Sequence, residues 1–90
     1  MPVIRIPTPL RSYTNGASDV PVPGGTAGEA MQNLVTEFPA LKQHLYNNQD
    51  NLRPFVNLFL GADNIKDLQG LETPLEESDI LFLVPAVAGG

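Results

Sequence analysis

The 90-residue chain contains no cysteine and a single histidine, His44. The absence of cysteine excludes disulfide bonds, thiolate metal ligands and a thiol nucleophile. One histidine alone cannot form a metal centre or a catalytic triad, and we expect it to lie exposed or half-buried on a short helix. Much of ordinary enzyme chemistry is therefore excluded, and we predict neither a metal site nor a catalytic residue.

Basic residues are also scarce, because five lysines and arginines stand against ten acidic residues, for a net charge of −5. Nucleic-acid binding needs a cationic face, so this balance argues against it. A basic patch on another protein is the more plausible partner. The acidic residues between Asp63 and Asp79 form either a solvated face or a patch that steers such a partner.

Long hydrophobic runs are absent as well. The longest one, residues 80–88, is interrupted by Pro85 and is shorter than the roughly 20 residues that a membrane-spanning helix needs. The first residues lack the basic segment, apolar run and cleavage site of a signal peptide. We therefore expect a cytoplasmic protein that does not interact with membranes.

The remaining apolar pattern predicts one main helix and several short strands. A capping box from Thr26 to Glu29 marks the helix start, and Pro39 is expected to end the helix. Its apolar residues follow at i, i+3, i+4 and i+7 spacing: Met31, Leu34, Val35 and Phe38. A shorter helical piece is predicted at 41–46. The predicted strands are 3–6, 19–22, 55–60, a weaker one at 65–68, and 80–84, with a turn at 61–64.

This order of elements suits a single helix packed across one face of a mixed sheet of four to five strands. We therefore predict an α+β fold of the β-grasp, or ubiquitin-like, type, although the pattern alone leaves other small α+β folds open. The β-grasp domain is expected to span residues 1–85, and residues 86–90 are expected to form a flexible carboxyl-terminal tail.

One helix can cover only one face of the sheet, yet the strands supply large apolar side chains for both faces. Successive residues alternate between faces, and the polar Asn57 indicates that its set points away from the helix. The outward apolar residues are then Phe55, Phe59, Phe82 and Val84. We predict that they form a docking surface for a partner. The alternative is that loops 7–18 or 69–79 cover this face.

The chain ends in Gly89-Gly90. Glycines have no Cβ, so they let a backbone enter a narrow slot beside a nucleotide. The last five residues can extend about 17 Å, which is enough to reach an active site on another protein. The alternative is a frayed tail without a function.

Residues 79–90 resemble the carboxyl-terminal signature of the MoaD/ThiS family of ubiquitin-like sulfur carriers. That signature consists of an acidic residue, an apolar strand, a proline and Val-x-Gly-Gly, here Asp79, Ile80–Val84, Pro85 and Val87-Ala88-Gly89-Gly90. The resemblance extends through residues 6–11, 55–60 and 73–75. Ser78 departs from it, since the family usually has glycine before the acidic residue.

The resemblance implies that the chain is a protein cosubstrate and not an enzyme. An E1-like partner would use ATP and magnesium to adenylate the Gly90 carboxylate, and sulfur would then displace AMP to leave a thiocarboxylate. The chain itself would bind no cofactor. The partner would recognise the tail through Ala86, Val87, Ala88 and Gly89.

Within the family, the tail and the segment Phe55-Val56-Asn57 most resemble carriers of cysteine biosynthesis. The resemblance then implies a pyridoxal-phosphate-dependent cysteine synthase as sulfur acceptor, followed by a metalloprotease that releases the product. The alternatives are the small subunit of molybdopterin synthase, partnered by the large subunit, and a ubiquitin-like modifier conjugated to lysines. An interaction module that uses the apolar sheet face alone is a further possibility.

Overall fold

The main helix forms where the sequence predicts it. In the computed structural model, which describes residues 1–85, helix α1 spans Ala27–Glu37. Thr26 caps this helix, because its Oγ1 accepts a hydrogen bond of 3.2 Å from the Glu29 N–H. The Glu29 carboxylate accepts from the Gly25 N–H at 2.7 Å, one residue earlier than a standard capping box would place it.

The helix ends before Pro39, as predicted. Phe38 has φ −124° and ψ 79°, because the residue before a proline is excluded from the α region by a steric clash. A 3-10 helix, Pro39–Leu41, and a short helix α2, Lys42–Leu45, follow and confirm the predicted second helical piece. The apolar stripe of α1 is buried except for Phe38, which is partly buried.

Five short strands form one mixed sheet in the order β2-β1-β5-β3-β4. Their bounds are Val3–Arg5 (β1), Asp19–Pro21 (β2), Val56–Leu60 (β3), Asp63–Asn64 (β4) and Ile80–Pro85 (β5). Strands β1 and β5 run parallel, and the other neighbours run antiparallel. Parallel neighbours need a crossover connection, which here includes α1. This is the predicted β-grasp fold.

The edges and the core follow from the sequence. Strand β2 lies at one edge of the sheet. Pro21 has no N–H to donate, and an edge strand tolerates this loss, whereas a central strand would need that hydrogen bond. The core fills the space between α1 and one face of the sheet, and its fully buried members include Ile4, Ile6, Met31, Leu34, Leu58 and Leu81. Within residues 1–85, no helix has the length and apolar content needed to cross a bilayer.

The segment after β3 differs from the prediction. A weaker strand is predicted at 65–68, but Ile65–Asp67 forms a 3-10 helix. The cause is local, because Asn64 Oδ1 accepts a hydrogen bond of 2.9 Å from the Lys66 N–H and so bends the chain out of an extended conformation. The predicted turn at 61–64 contains the two-residue strand β4, and Gly61 reverses the chain there with a φ of 64°.

Two further 3-10 helices lie in the long loops, at Thr8–Thr14 and Gly70–Glu72. Both loops are fixed to the helical layer. Tyr13 stacks on His44 of α2 with ring centroids 4.5 Å apart. The Ala27 N–H at the start of α1 donates to the Thr73 carbonyl at 2.9 Å.

Candidate partner-docking site

Alternation along β3 and β5 decides which side chains each face of the sheet receives. Leu58, Leu81 and Leu83 point into the core and are at most 3% exposed. Phe59 and Phe82 lie on the other face, directly opposite each other in the β3–β5 register. The predicted division of these strands into two sets is therefore confirmed.

We call the side of the sheet that faces away from α1 the open face. Its members include Arg5, Asn57, Phe59, Phe82 and Val84. Val84 is 43% exposed, whereas Phe59 and Phe82 are half-buried, since cross-strand neighbours cover part of each other's surface. The docking role predicted for them stays a prediction.

Phe55, the fourth predicted docking residue, lies outside the strand. The sequence predicts a strand from Phe55, but β3 begins at Val56. Pro54 and Phe55 form a turn that the Val56 N–H closes by donating to the Arg53 carbonyl at 3.0 Å. Phe55 is 40% exposed in this turn, directly before the start of β3.

The alternative that loops 7–18 or 69–79 cover the open face is wrong. Tyr13 holds the first loop against α2, on the helical side of the sheet. The second loop is held to the start of α1 by hydrogen bonds at Ala27 and from the Leu75 N–H to the Gly25 carbonyl, both 2.9 Å long. These contacts hold both loops on the helical side of the sheet, opposite to the face that the alternative has them cover.

A cation lies over one ring of the aromatic pair on the open face. The Arg5 guanidinium carbon is 5.1 Å from the centroid of the Phe82 ring, within the range of a cation–π contact. Arg5 also donates two hydrogen bonds to the Asp19 carboxylate, at 2.8 and 3.1 Å. The hydrogen bond from Arg5 holds the pKa of Asp19 below its ordinary value of 3.8. The ion pair therefore fixes Arg5 above the ring.

Asn57 forms the polar part of the open face, close to the point where β5 ends. Its Oδ1 accepts from Asn64 Nδ2 at 3.4 Å and from Lys66 Nζ at 3.5 Å. Val84 is the register partner of Asn57, so Lys66 is held near the last residues of β5. The open face therefore carries two cations beside its apolar side chains, although the chain as a whole is acidic.

Neither Arg5 nor Lys66 is among the site residues predicted from the sequence. Arg5 could have been found, because alternation in Val3-Ile4-Arg5-Ile6 places it opposite to the buried isoleucines. No comparable signal existed for Lys66. Its position depends on the Asn64-capped 3-10 helix, where the sequence predicts a strand.

The other residues considered from the sequence have structural roles. His44 is half-buried on α2, as expected. Asp79 Oδ2 accepts from the Glu76 N–H at 2.7 Å and so closes the turn before β5. A Cβ on Gly24 would lie 2.7 Å from the Ala30 backbone nitrogen, so the Gly24-Gly25 pair serves the entry to the helix, as predicted.

The predicted chemical group lies at the end of the chain. Ala86, Val87, Ala88, Gly89 and Gly90 are outside the described residues. The strand that leads to them ends at Pro85, which pairs with Val56. Among residues 1–85, no three histidine or acidic side chains are grouped so that they could hold a metal ion.

The chain is similar in sequence to a known family and to a characterised relative. Residues 4–90 match the ThiS family. The chain is 30% identical over 89 residues to the sulfur carrier protein CysO of Mycobacterium tuberculosis. The alignment covers 97% of this chain and 96% of the relative.

Solved structures agree with that match. A chain of the crystal structure of the Amycolatopsis orientalis BexX/CysO complex superposes with a TM-score of 0.87 at 30% identity, over 100% of both chains. The small archaeal modifier protein 1 of Methanosarcina acetivorans superposes with a TM-score of 0.87 at 28% identity, over 99% of this chain and 95% of its own. With this fold and a match that runs from β1 to Gly90, the chain belongs to the ThiS family.

Proposed function

We propose that this chain is a sulfur carrier whose Gly90 carboxyl group transports the sulfur atom. The observation that carries this proposal is the family match, which runs through Gly89-Gly90 and is supported by whole-length similarity to a CysO sulfur carrier. A carrier without cysteine cannot hold sulfur as a side-chain persulfide. A carboxyl group at the end of a slender tail can carry sulfur without a cysteine side chain.

The proposed chemistry needs two steps on an E1-like partner. The Gly90 carboxylate attacks the α-phosphate of magnesium-bound ATP, so an acyl-adenylate forms and pyrophosphate leaves. Hydrosulfide supplied by the partner system then attacks the activated carbonyl, AMP leaves, and Gly90 becomes a thiocarboxylate. A carboxylate is a poor electrophile, and adenylation supplies the leaving group that makes this attack possible. The chain acts as a cosubstrate, and ATP and magnesium belong to the partner.

The chain's own contribution is presentation of the tail. Phe59, Phe82 and Val84 offer the partner an apolar surface on a rigid sheet, and the exposed Phe55 adds to it. Docking there places the end of β5 on the partner, since Val84 and Pro85 lead directly into the tail. Gly89 and Ala88 are small, which suits a narrow channel, and Val87 and Ala86 seat the tail in the partner's groove. A CysO structure in complex with BexX supports the general idea that such chains bind a protein partner.

For the acceptor, we propose a pyridoxal-phosphate-dependent cysteine synthase, because the relative that covers 97% of this chain is a CysO protein. A metalloprotease would then release the new cysteine from the carrier. Molybdopterin synthase is the alternative acceptor. Conjugation to lysines is favoured by a separate observation, the similarity to the small archaeal modifier proteins.

Intact-protein mass spectrometry of the chain isolated from its own cells tests the carrier proposal. Replacement of one carboxyl oxygen by sulfur adds about 16 Da, and the fragment ions should place the increase on Gly90. A variant that lacks Gly90 should show no increase and should fail to support sulfur transfer. An unmodified carboxylate together with an active Gly90 deletion would contradict the proposal, and a series of larger conjugates would identify a modifier.

A further inference from the structure

A second candidate surface lies at the end of the sheet, apart from the centre of the open face. A cavity of about 280 Å³ opens between the turn before β3, the 3-10 helix Ile65–Asp67 and the loop at Gly70. Its apolar walls are formed by Leu52, Val56, Leu58, Ile65 and Leu71. Leu71 is 41% exposed, so the cavity continues onto the surface. We call it the edge cavity.

Two cations, Arg53 and Lys66, line the edge cavity, and none of its described lining residues is acidic. Asp67 and Glu72 follow lining residues in sequence, but both are exposed and neither lines the cavity. In a chain with a net charge of −5, the charged residues that line this cavity are thus cations alone.

The contacts of the five lysines and arginines strengthen this contrast in charge. Arg5 and Lys42 contact carboxylates, those of Asp19 and Asp50. The others bond neutral oxygens: Arg11 the Ile6 carbonyl, Arg53 the Gln43 carbonyl, and Lys66 the side chain of Asn57. Two of these three cations line the edge cavity. A carboxylate brought to it would therefore meet two cations that form no ion pair with an acidic side chain of residues 1–85.

The geometry of Arg53 favours an external carboxylate. Its Nε and Nη2 donate to the Gln43 carbonyl at 3.2 and 3.0 Å, which fixes the plane of the guanidinium and leaves Nη1 without an acceptor among residues 1–85. A fixed guanidinium loses little conformational entropy when it binds a further group. The cavity is also somewhat smaller than the 300–1,000 Å³ or so of typical small-molecule sites, and it suits one apolar side chain.

We propose that the edge cavity binds an acidic segment of a partner protein, with one leucine-sized or phenylalanine-sized side chain inserted between Leu71 and Val56. One flanking carboxylate lies on Arg53 and another on Lys66, whose Nζ lies at the rim that the cavity shares with Asn57 of the open face. Val56 pairs with Pro85, so a partner bound there lies beside the start of the tail. This inference does not rest on the proposed function, because it concerns the charge and shape of a surface and makes no use of sulfur chemistry.

Selection from a peptide library tests the proposal without knowledge of the natural partner. Random 12-residue peptides on phage are selected on the immobilised full-length chain, and the enriched peptides are synthesised and titrated in solution. We expect each to contain one large apolar residue flanked by at least two acidic residues. Raising the salt concentration should weaken their binding, because salt screens exposed charges.

Matched variants then locate the binding site. Leu71→Asp and the pair Arg53→Glu with Lys66→Glu should each reduce peptide affinity about tenfold or more. Leu68→Asp is the control for the first variant, since Leu68 is 44% exposed and does not line the cavity. Lys42→Glu is the control for charge, since Lys42 is the chain's other lysine and lies outside the cavity. Both controls should bind as the natural chain does.

Several results would overturn the proposal. These are a selection that yields no binders, binders without acidic enrichment, equal losses in the cavity variants and their controls, and equally tight binding of a free fatty acid such as octanoate. If Leu71→Asp unfolds, as judged by circular dichroism, Lys66→Glu alone decides the question. Lys66 is exposed, so its replacement leaves the core intact.

Discussion

The two faces of the sheet are built from the same strands, yet their side chains differ in exposure and in packing. On the core face, Leu58 and Leu81 are at most 2% exposed and pack beneath α1. On the open face, Phe59 and Phe82 are half-buried register partners, and Arg5 lies over the Phe82 ring. The first arrangement stabilises the domain. The second leaves large apolar side chains in water, which a solitary domain does not need.

This difference teaches how a small domain can separate stability from recognition. Residues that are adjacent in sequence, such as Leu81 and Phe82, point to opposite faces. One set can therefore be kept for packing while the other contacts a partner. The separation predicts that substitutions on the two faces will have different effects, and the largest difference should appear in stability.

Replacement of Leu81 by alanine should have the largest effect. Leu81 is fully buried, so its truncation leaves a cavity and should lower the free energy of unfolding by about 2–5 kcal/mol. Phe82→Ala, one residue along the same strand, removes a half-buried ring and should cost about 1 kcal/mol. Urea unfolding at one temperature compares the two variants. Equal losses would show that the open face is as important to folding as the core face.

The helical layer offers a second large effect with a close control. Gly24→Ala would place a Cβ 2.7 Å from the Ala30 nitrogen, and overpacking of this kind costs about 1–3 kcal/mol. A Cβ on Gly25 would meet only the Glu29 Oε1 at 3.5 Å, an ordinary contact. Gly25→Ala should therefore leave the unfolding midpoint almost unchanged. A Gly24→Ala variant as stable as the natural chain would contradict the close packing described at this turn.

The architecture was largely predictable because it depends on short-range patterns. The spacing of Met31, Leu34 and Val35 identifies the helix, and the alternation around Asn57 identifies which strand residues face it. Both patterns depend only on the periods of helix and strand. Pro21 predicted that β2 is an edge strand, because proline lacks an N–H. Pro39 predicted the end of α1, because proline restricts the residue before it.

The parts that could not be predicted depend on single side-chain contacts. The chain at 65–68 turns into a 3-10 helix because one amide side chain, that of Asn64, bonds to the Lys66 N–H. The apolar residues Ile65 and Leu68 gave no sign of that turn. The edge cavity could therefore not be predicted from the sequence either, because the position of Lys66 in its wall depends on the same turn. The ion pair that fixes Arg5 needs the β1–β2 register, which pairs Arg5 with Asp19.

The open face can be tested directly through its aromatic pair. Phe59→Asp should leave the domain folded and should reduce binding of the activating partner about tenfold or more, because hot-spot residues are large apolar groups at the centre of an interface. Gln32→Asp, an exposed residue in the middle of α1, is the control on the opposite side. Titration calorimetry with the partner enzyme measures both. Unchanged binding by a folded Phe59→Asp variant would exclude this face as the docking site.

The smallest effect concerns the exposed ion pair beside that aromatic pair, and it depends on pH. The pKa of Asp19 in the folded chain lies below its ordinary value of 3.8, because of the hydrogen bond from Arg5. A carboxylate with a lowered pKa stabilises the fold above its unfolded pKa, and this stability is lost as the pH falls through the folded pKa. Asp19→Asn should therefore be slightly less stable than the natural chain at neutral pH, and this gap should close as the pH falls through the lowered pKa of Asp19. Arg5→Gln should show the same closure, since either change removes the same pair. A gap in the urea midpoint that persists at low pH would mean that Asp19 stabilises β2 by packing and not through the ion pair with Arg5.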